Sequence, residues 1–71
     1  MNYKWEIYHS GYDSVVLGGF AETLDEAQSK ASLELEKESA AYPLSRIDAT
    51  IDFGAEGWVK SSGGTDWERA E

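Results

Sequence analysis

The chain opens on an alternation: Tyr3, Trp5, Ile7 and His9 fall on one side, Lys4, Glu6 and Tyr8 on the other. A period of two is the signature of a half-buried strand. Ser10-Gly11-Tyr12-Asp13-Ser14 has turn chemistry. Ser14 to Phe20, carrying Val15, Val16 and Leu17, then predicts a second strand that closes a hairpin with the first. Gly18-Gly19 predicts a bulge or a close backbone approach in that strand. No Gly-Lys-Ser/Thr follows the two glycines, so they do not make a phosphate loop.

The period changes at Thr23. Thr23-Leu24-Asp25-Glu26 is a capping box, in which the Thr23 hydroxyl accepts from the Glu26 N–H and the Glu26 side chain reaches back to Thr23. Glu22, Asp25 and Glu26 also carry negative charge where a helix dipole favours it. Leu24, Ala27, Ala31 and Leu35 repeat at three- and four-residue spacing, a narrow apolar stripe of small residues that permits close packing on a sheet. Glu26, Lys30 and Glu34 follow one another on the outer face and support the helix by ion pairing. Pro43 disfavours helical geometry at Tyr42, which ends the helix near Ser39 to Ala41.

Alternation returns over Arg46 to Phe53, with Ile47, Ala49, Ile51 and Phe53 against Arg46, Asp48, Thr50 and Asp52. Gly54-Ala55-Glu56-Gly57 connects this strand to another that begins at Trp58-Val59-Lys60-Ser61. Ser62-Gly63-Gly64 predicts a hairpin turn. Thr65 to Arg69, centred on Trp67, predicts a last edge strand. The expected fold is a single α+β domain over residues 1–71, one helix on one face of a four- to five-stranded, mostly antiparallel sheet, in the order β-β-α-β-β-β.

One helix covers one face of such a sheet, so the other face is left over. The alternation assigns to it Lys4, Glu6 and Tyr8 from the first strand, and Arg46, Asp48, Thr50 and Asp52 from the third. Asp66 and Glu68 join them if Trp67 points inward. The pattern leaves open which face Trp58 and Trp67 choose, because a one-residue slip exchanges them. Antiparallel sheets often carry one solvated polar face, and that is the plain reading of this one. The alternative is an acidic surface that receives a basic partner, with Glu6, Tyr8, Asp48, Asp52, Asp66 and Glu68 as the contact set.

Composition sharpens the choice. Six basic residues against fourteen acidic ones give a net charge of −8 over 71 residues. That balance opposes direct binding to nucleic acid or to an anionic membrane, whose attraction runs through Lys and Arg. Nine aromatic residues (three Trp, four Tyr, two Phe) argue for a folded chain and exceed what one short helix can cover. Trp5, Phe20, Phe53 and one further Trp are expected in the core. Tyr8, Tyr12 and Trp58 are the candidates for exposed anchors. Cysteine is absent, which removes disulfides and thiolate metal sites. No apolar run nears the ~18 residues of a membrane span. Met1 to Glu6 lacks the apolar core of a signal peptide, so a cytoplasmic protein is expected.

Catalytic chemistry finds little to stand on. The one histidine, His9, sits beside Ser10 at a strand end, with no nucleophile elbow or oxyanion loop, and reads as a surface or capping residue. Carboxylates could hold Mg²⁺ or Ca²⁺, but no D-x-D-x-D-G loop is present, and Asp48 and Asp52 project about 13 Å apart. A non-enzymatic protein without cofactor or metal is expected.

Two resemblances add expectations. Gly18-Gly19-Phe20-Ala21-Glu22-Thr23-Leu24-Asp25-Glu26-Ala27 resembles the strand-to-helix passage of the arm-type DNA-binding domains of phage-type integrases, which would imply a nucleic-acid-binding module. Glu6 and Asp13 occupy the hairpin where that family carries basic strands. Thr23-Leu24-Asp25-Glu26-Ala27, the Ile47/Ile51 strand, Gly57-Trp58-Val59 and Trp67 resemble small phage-encoded anti-CRISPR proteins. That likeness would imply an inhibitor, in the host cytoplasm, that occupies a basic nucleic-acid-binding surface of a protein or ribonucleoprotein defence complex. A structural homo-oligomer, paired through the last strand's edge and burying the surplus aromatics, is the expectation from a different class; monomer and homodimer both stay open.

Overall fold

The computed structural model describes residues 2–9, 14–62, 64 and 66–70. Its elements run β1 (Tyr3–His9), β2 (Ser14–Ala21), α1 (Leu24–Ala41), β3 (Ile47–Phe53), β4 (Glu56–Ser61) and β5 (Glu68–Ala70). The strands form one sheet in the order β2-β1-β3-β4-β5, with every neighbouring pair antiparallel. This is the α+β fold expected, with five strands.

The order dictates where the helix goes. The chain leaves β2 at one edge and must cross over β1 to begin β3, so α1 spans that crossing and rests on β1 and β3. Thr23 starts it as the pattern requires, its Oγ1 accepting from the Glu26 N–H at 3.1 Å. The Glu26 carboxylate pairs forward with Lys30 at 3.0 Å, while Glu34 pairs with Lys37 rather than Lys30. At the far end the Tyr42 N–H donates to Glu38 O, and the helix stops one residue before Pro43.

Between helix and sheet lie Trp5, Ile7, Ala21, Ala27, Ala31, Leu35, Ile47, Ala49 and Ile51. Ala27, Ala31 and Ala49 have no exposed surface, and their small size lets the helix descend onto the sheet. Each buried isoleucine contributes about 1.5–3 kcal/mol over its exposed state. Phe53 is half-buried and stacks on Tyr3 with ring centroids 4.2 Å apart.

Several local expectations need correction. The bulge does not lie at Gly18-Gly19. The register runs Ile7↔Leu17 and then Tyr8↔Val15, so Val16 is the extra residue. The glycines serve close approach instead: a Cβ on Gly19 would stand 2.9 Å from the Trp5 indole. Phe20 is not in the core. It pairs with Lys4 on the uncovered face and is 61% exposed. His9 is buried, 2% exposed, against the helix end, its Nε2 3.6 Å from Glu38 and its ring edge-on to Tyr42. Alternation placed it on the inward side; the cover comes from residues 29 and 33 positions away.

Strand limits also shift. β3 begins at Ile47, with Arg46 just ahead of it. β4 begins at Glu56, because Phe53↔Glu56 closes a two-residue turn in which Gly54 has φ 61°. A glycine at the first central position suits that turn. β5 is three residues, Glu68–Ala70, so Trp67 precedes the strand instead of centring it, and Thr65 lies outside the described residues. Trp67 turns to the helix, where its indole N–H donates to Ser32 Oγ at 3.2 Å. That bond ties the residue just ahead of β5 to the helix. The turn expected at Ser10–Ser14 lies outside the described residues except for Ser14, the first residue of β2.

Candidate functional site

Register settles which residues share the uncovered face. Across the five strands, one row reads Phe20, Lys4, Asp52, Gly57, Ala70. The next reads Gly18, Glu6, Thr50, Val59, Glu68, and a third places Tyr8 beside Asp48 and Ser61. Five of the six expected contact residues therefore meet on one face: Glu6, Tyr8, Asp48, Asp52 and Glu68. Asp66 lies in the bend ahead of β5 and borders, with Val59, Ser61 and Glu68, a shallow cleft of about 290 Å³.

Strand spacing sets the charge geometry. Glu6 lies diagonally from both Asp48 and Asp52, about 8 Å from each, and Asp48 and Asp52 are about 13 Å apart. Glu68, three strands from Glu6, is about 14 Å away. Two cations sit at the margins: Lys4 Nζ is 4.0 Å from Glu6, and Arg46 Nε is 3.7 Å from Asp48. Glu6 and Asp48 are half-buried among their neighbours, while Asp52 and Glu68 stand exposed. The centre and the β5 side of the face are thus acidic, and the β2 side is aromatic through Phe20 and the 37% exposed Tyr8.

Trp58, expected as an exposed anchor, belongs to the other face. It pairs with Ile51, is half-buried against Tyr3, and carries the Arg69 guanidinium 5.7 Å above its ring. Tyr12 lies outside the described residues. Sequence reasoning missed Phe20, whose face depends on the bulge at Val16 as well as on its own parity. Beyond Glu26, Lys30 and Glu34, which the sequence placed on the outer side of α1, the helix carries Glu36 and Glu38, and Glu38 turns in toward His9.

A second cleft, of about 270 Å³, opens between α1 and β4, bordered by Ser32, Glu36, Ser39, Lys60 and Ser62. Two of its polar groups, Ser32 and Lys60, meet each other, while the buried Ser39 Oγ has no hydrogen-bond partner among the described residues. Ser32 Oγ accepts from Lys60 Nζ at 3.3 Å as well as from Trp67, and Ser62 Oγ accepts from the Ile47 N–H at 3.3 Å. The volume falls just short of ordinary small-ligand pockets, about 300–1,000 Å³. Among the described residues no group of three His, Cys, Asp or Glu side chains converges as metal ligands would. None of the helices described is long and apolar enough to cross a membrane.

No family model, curated protein or solved structure matches this chain.

Proposed function

We propose that this is a non-catalytic interaction protein whose uncovered sheet face receives a basic surface of another protein. The observation that carries the reading is the row geometry: Glu6, Asp48, Asp52 and Glu68 project from one sheet face, flanked by the aromatic rings of Tyr8 and Phe20. Carboxylates spaced by strand geometry 8–14 Å apart resemble in sign and spread the charge that a groove for nucleic acid is built to accept. In its most concrete form the partner is a nucleic-acid-handling complex and the protein acts as its competitive inhibitor.

Glu34 and Glu36 on α1 are the natural control, because they carry the same charge off the uncovered sheet face. Tagged protein would be used to capture partners from cell lysate, with washes at low and high salt. A basic, nucleic-acid-handling protein held at low salt, released at high salt, and lost from Asp48→Lys/Asp52→Lys but not from Glu34→Lys/Glu36→Lys is the expected result. Equal capture by the sheet-face variant would remove the reading.

A further inference from the structure

We infer that β2 is a self-pairing edge. Two copies join β2 to β2, antiparallel, about a twofold axis through Gly19, fusing two five-stranded sheets into one continuous sheet. The inference stands on the sheet's edges and shares only Phe20 with the charged face.

The two edges of this sheet are built differently. β5 is three residues long and carries Glu68 and Arg69, with Arg69 Nη2 bound to Glu56 at 2.9 Å. Short length and charge are the usual protections of an edge. β2 has neither. It runs for eight residues, Ser14-Val15-Val16-Leu17-Gly18-Gly19-Phe20-Ala21, without a charge or a proline. Among the described residues its backbone bonds to β1 and to nothing else outside. Its bulge at Val16, another way to blunt an edge, lies outside Leu17–Ala21, and that apolar run is a template for another strand.

The sequence of β2 names that strand as its own copy. Leu17 and Ala21 lie on the helix side, opposite Ile7 and Tyr3, and Gly18 and Phe20 lie on the open side, opposite Glu6 and Lys4. In antiparallel pairing centred on Gly19, Phe20 faces Gly18 of the second copy and Leu17 faces Ala21 of the second copy. A large residue meets a small one on both faces, and each such pair occurs twice by symmetry. Opposite side chains stand about 4.5–5.5 Å apart, so the Phe20 ring lies over the Gly18 backbone, a pairing known to stabilise strand glycines. Phe20 at 61% and Leu17 at 36% exposure are the side chains with most to gain. Gly19 on the axis already has its inner side filled by the Trp5 indole.

Charge agrees. Each copy carries −8, so two copies can approach only where carboxylates are sparse. The nearest acid after the strand is Glu22, and in this register the two Glu22 residues lie six positions apart, about 20 Å, roughly twice the screening length at physiological salt. Along the open face the joined row reads Lys4, Phe20, then Gly18 and Glu6 of the second copy, with opposite charges at its two ends. A five-residue overlap is a small interface, of the weak and transient class.

Sedimentation velocity over roughly 1–500 μM protein, a span bracketing micromolar affinity, measures this directly. The expected result is a monomer–dimer equilibrium for the native chain. Phe20→Glu and Leu17→Lys each raise the dissociation constant at least tenfold with unchanged circular dichroism, and Glu68→Lys at the other edge leaves it in place. Isotope-filtered NOEs between the Phe20 ring and Gly18 Hα of the other copy fix the register. A monomer throughout the range, a dimer that survives Phe20→Glu, one broken by Glu68→Lys instead, or the absence of that NOE overturns the inference.

Discussion

Gly19 owes its place to Trp5, and the two positions should behave as a unit. An alanine there puts a methyl 2.9 Å from an indole that Ile7 and the helix already hold in place. Overpacking of this kind costs about 1–3 kcal/mol, so the Gly19→Ala midpoint in urea should fall, with an unchanged slope. In a Trp5→Leu background the same change should cost much less, and a double-mutant cycle reads the difference. Additive effects would separate the two residues. Gly54 tests another cause, since its φ of 61° leaves it in open space with nothing near an added Cβ. Gly54→Ala should cost about 1–2 kcal/mol from backbone strain alone. His9 shows the limit of reading at this scale: alternation gives its side, but its burial depends on Glu38 and Tyr42, which only the fold brings near.

Elements whose signals are local were legible. Thr23 and Pro43 bracket α1 within a residue, and Ile47, Ala49 and Ile51 point inward as their period requires. Thr23→Ala should cost about 1 kcal/mol, seen as a lower midpoint in chemical denaturation followed at 222 nm. Elements whose limits depend on another part of the chain were not legible. Trp67 stands ahead of β5 and reaches Ser32, a contact across 35 residues, and Phe20 faces outward because an extra residue at Val16 resets the register. Trp67→Phe keeps the ring and removes the donor to Ser32. Its expected cost is about 0.5–1.5 kcal/mol, read as a lower denaturation midpoint. Glu6, Tyr8, Asp48 and Asp52 followed from alternation on β1 and β3; Phe20 did not.

As a whole the molecule is thinly stabilised and strongly charged. At about 0.05–0.15 kcal/mol per residue, 71 residues hold roughly 4–11 kcal/mol. Ile47→Ala, at about 2–5 kcal/mol, would therefore take a large share of it. Fourteen acids against six bases repel one another in the compact state, while the exposed ion pairs are individually weak. Salt should then stabilise: from about 10 mM to 500 mM NaCl, where the Debye length falls well below 10 Å, Tm should rise by a few degrees in calorimetry. A fall in Tm would mean that ion pairing outweighs repulsion. The position of α1 has a consequence in time. Because the helix rests on β1 and β3 and reaches the β4–β5 ribbon through Ser32, amides of β1 and β3 should exchange with deuterium only through global opening, and those of β4 and β5 much sooner. Glu6, Asp48 and Asp52 then persist as a surface for as long as the fold does, whereas Glu68 belongs to a part that comes and goes, so a partner that waits on Glu68 would meet a surface with a shorter lifetime than the protein itself.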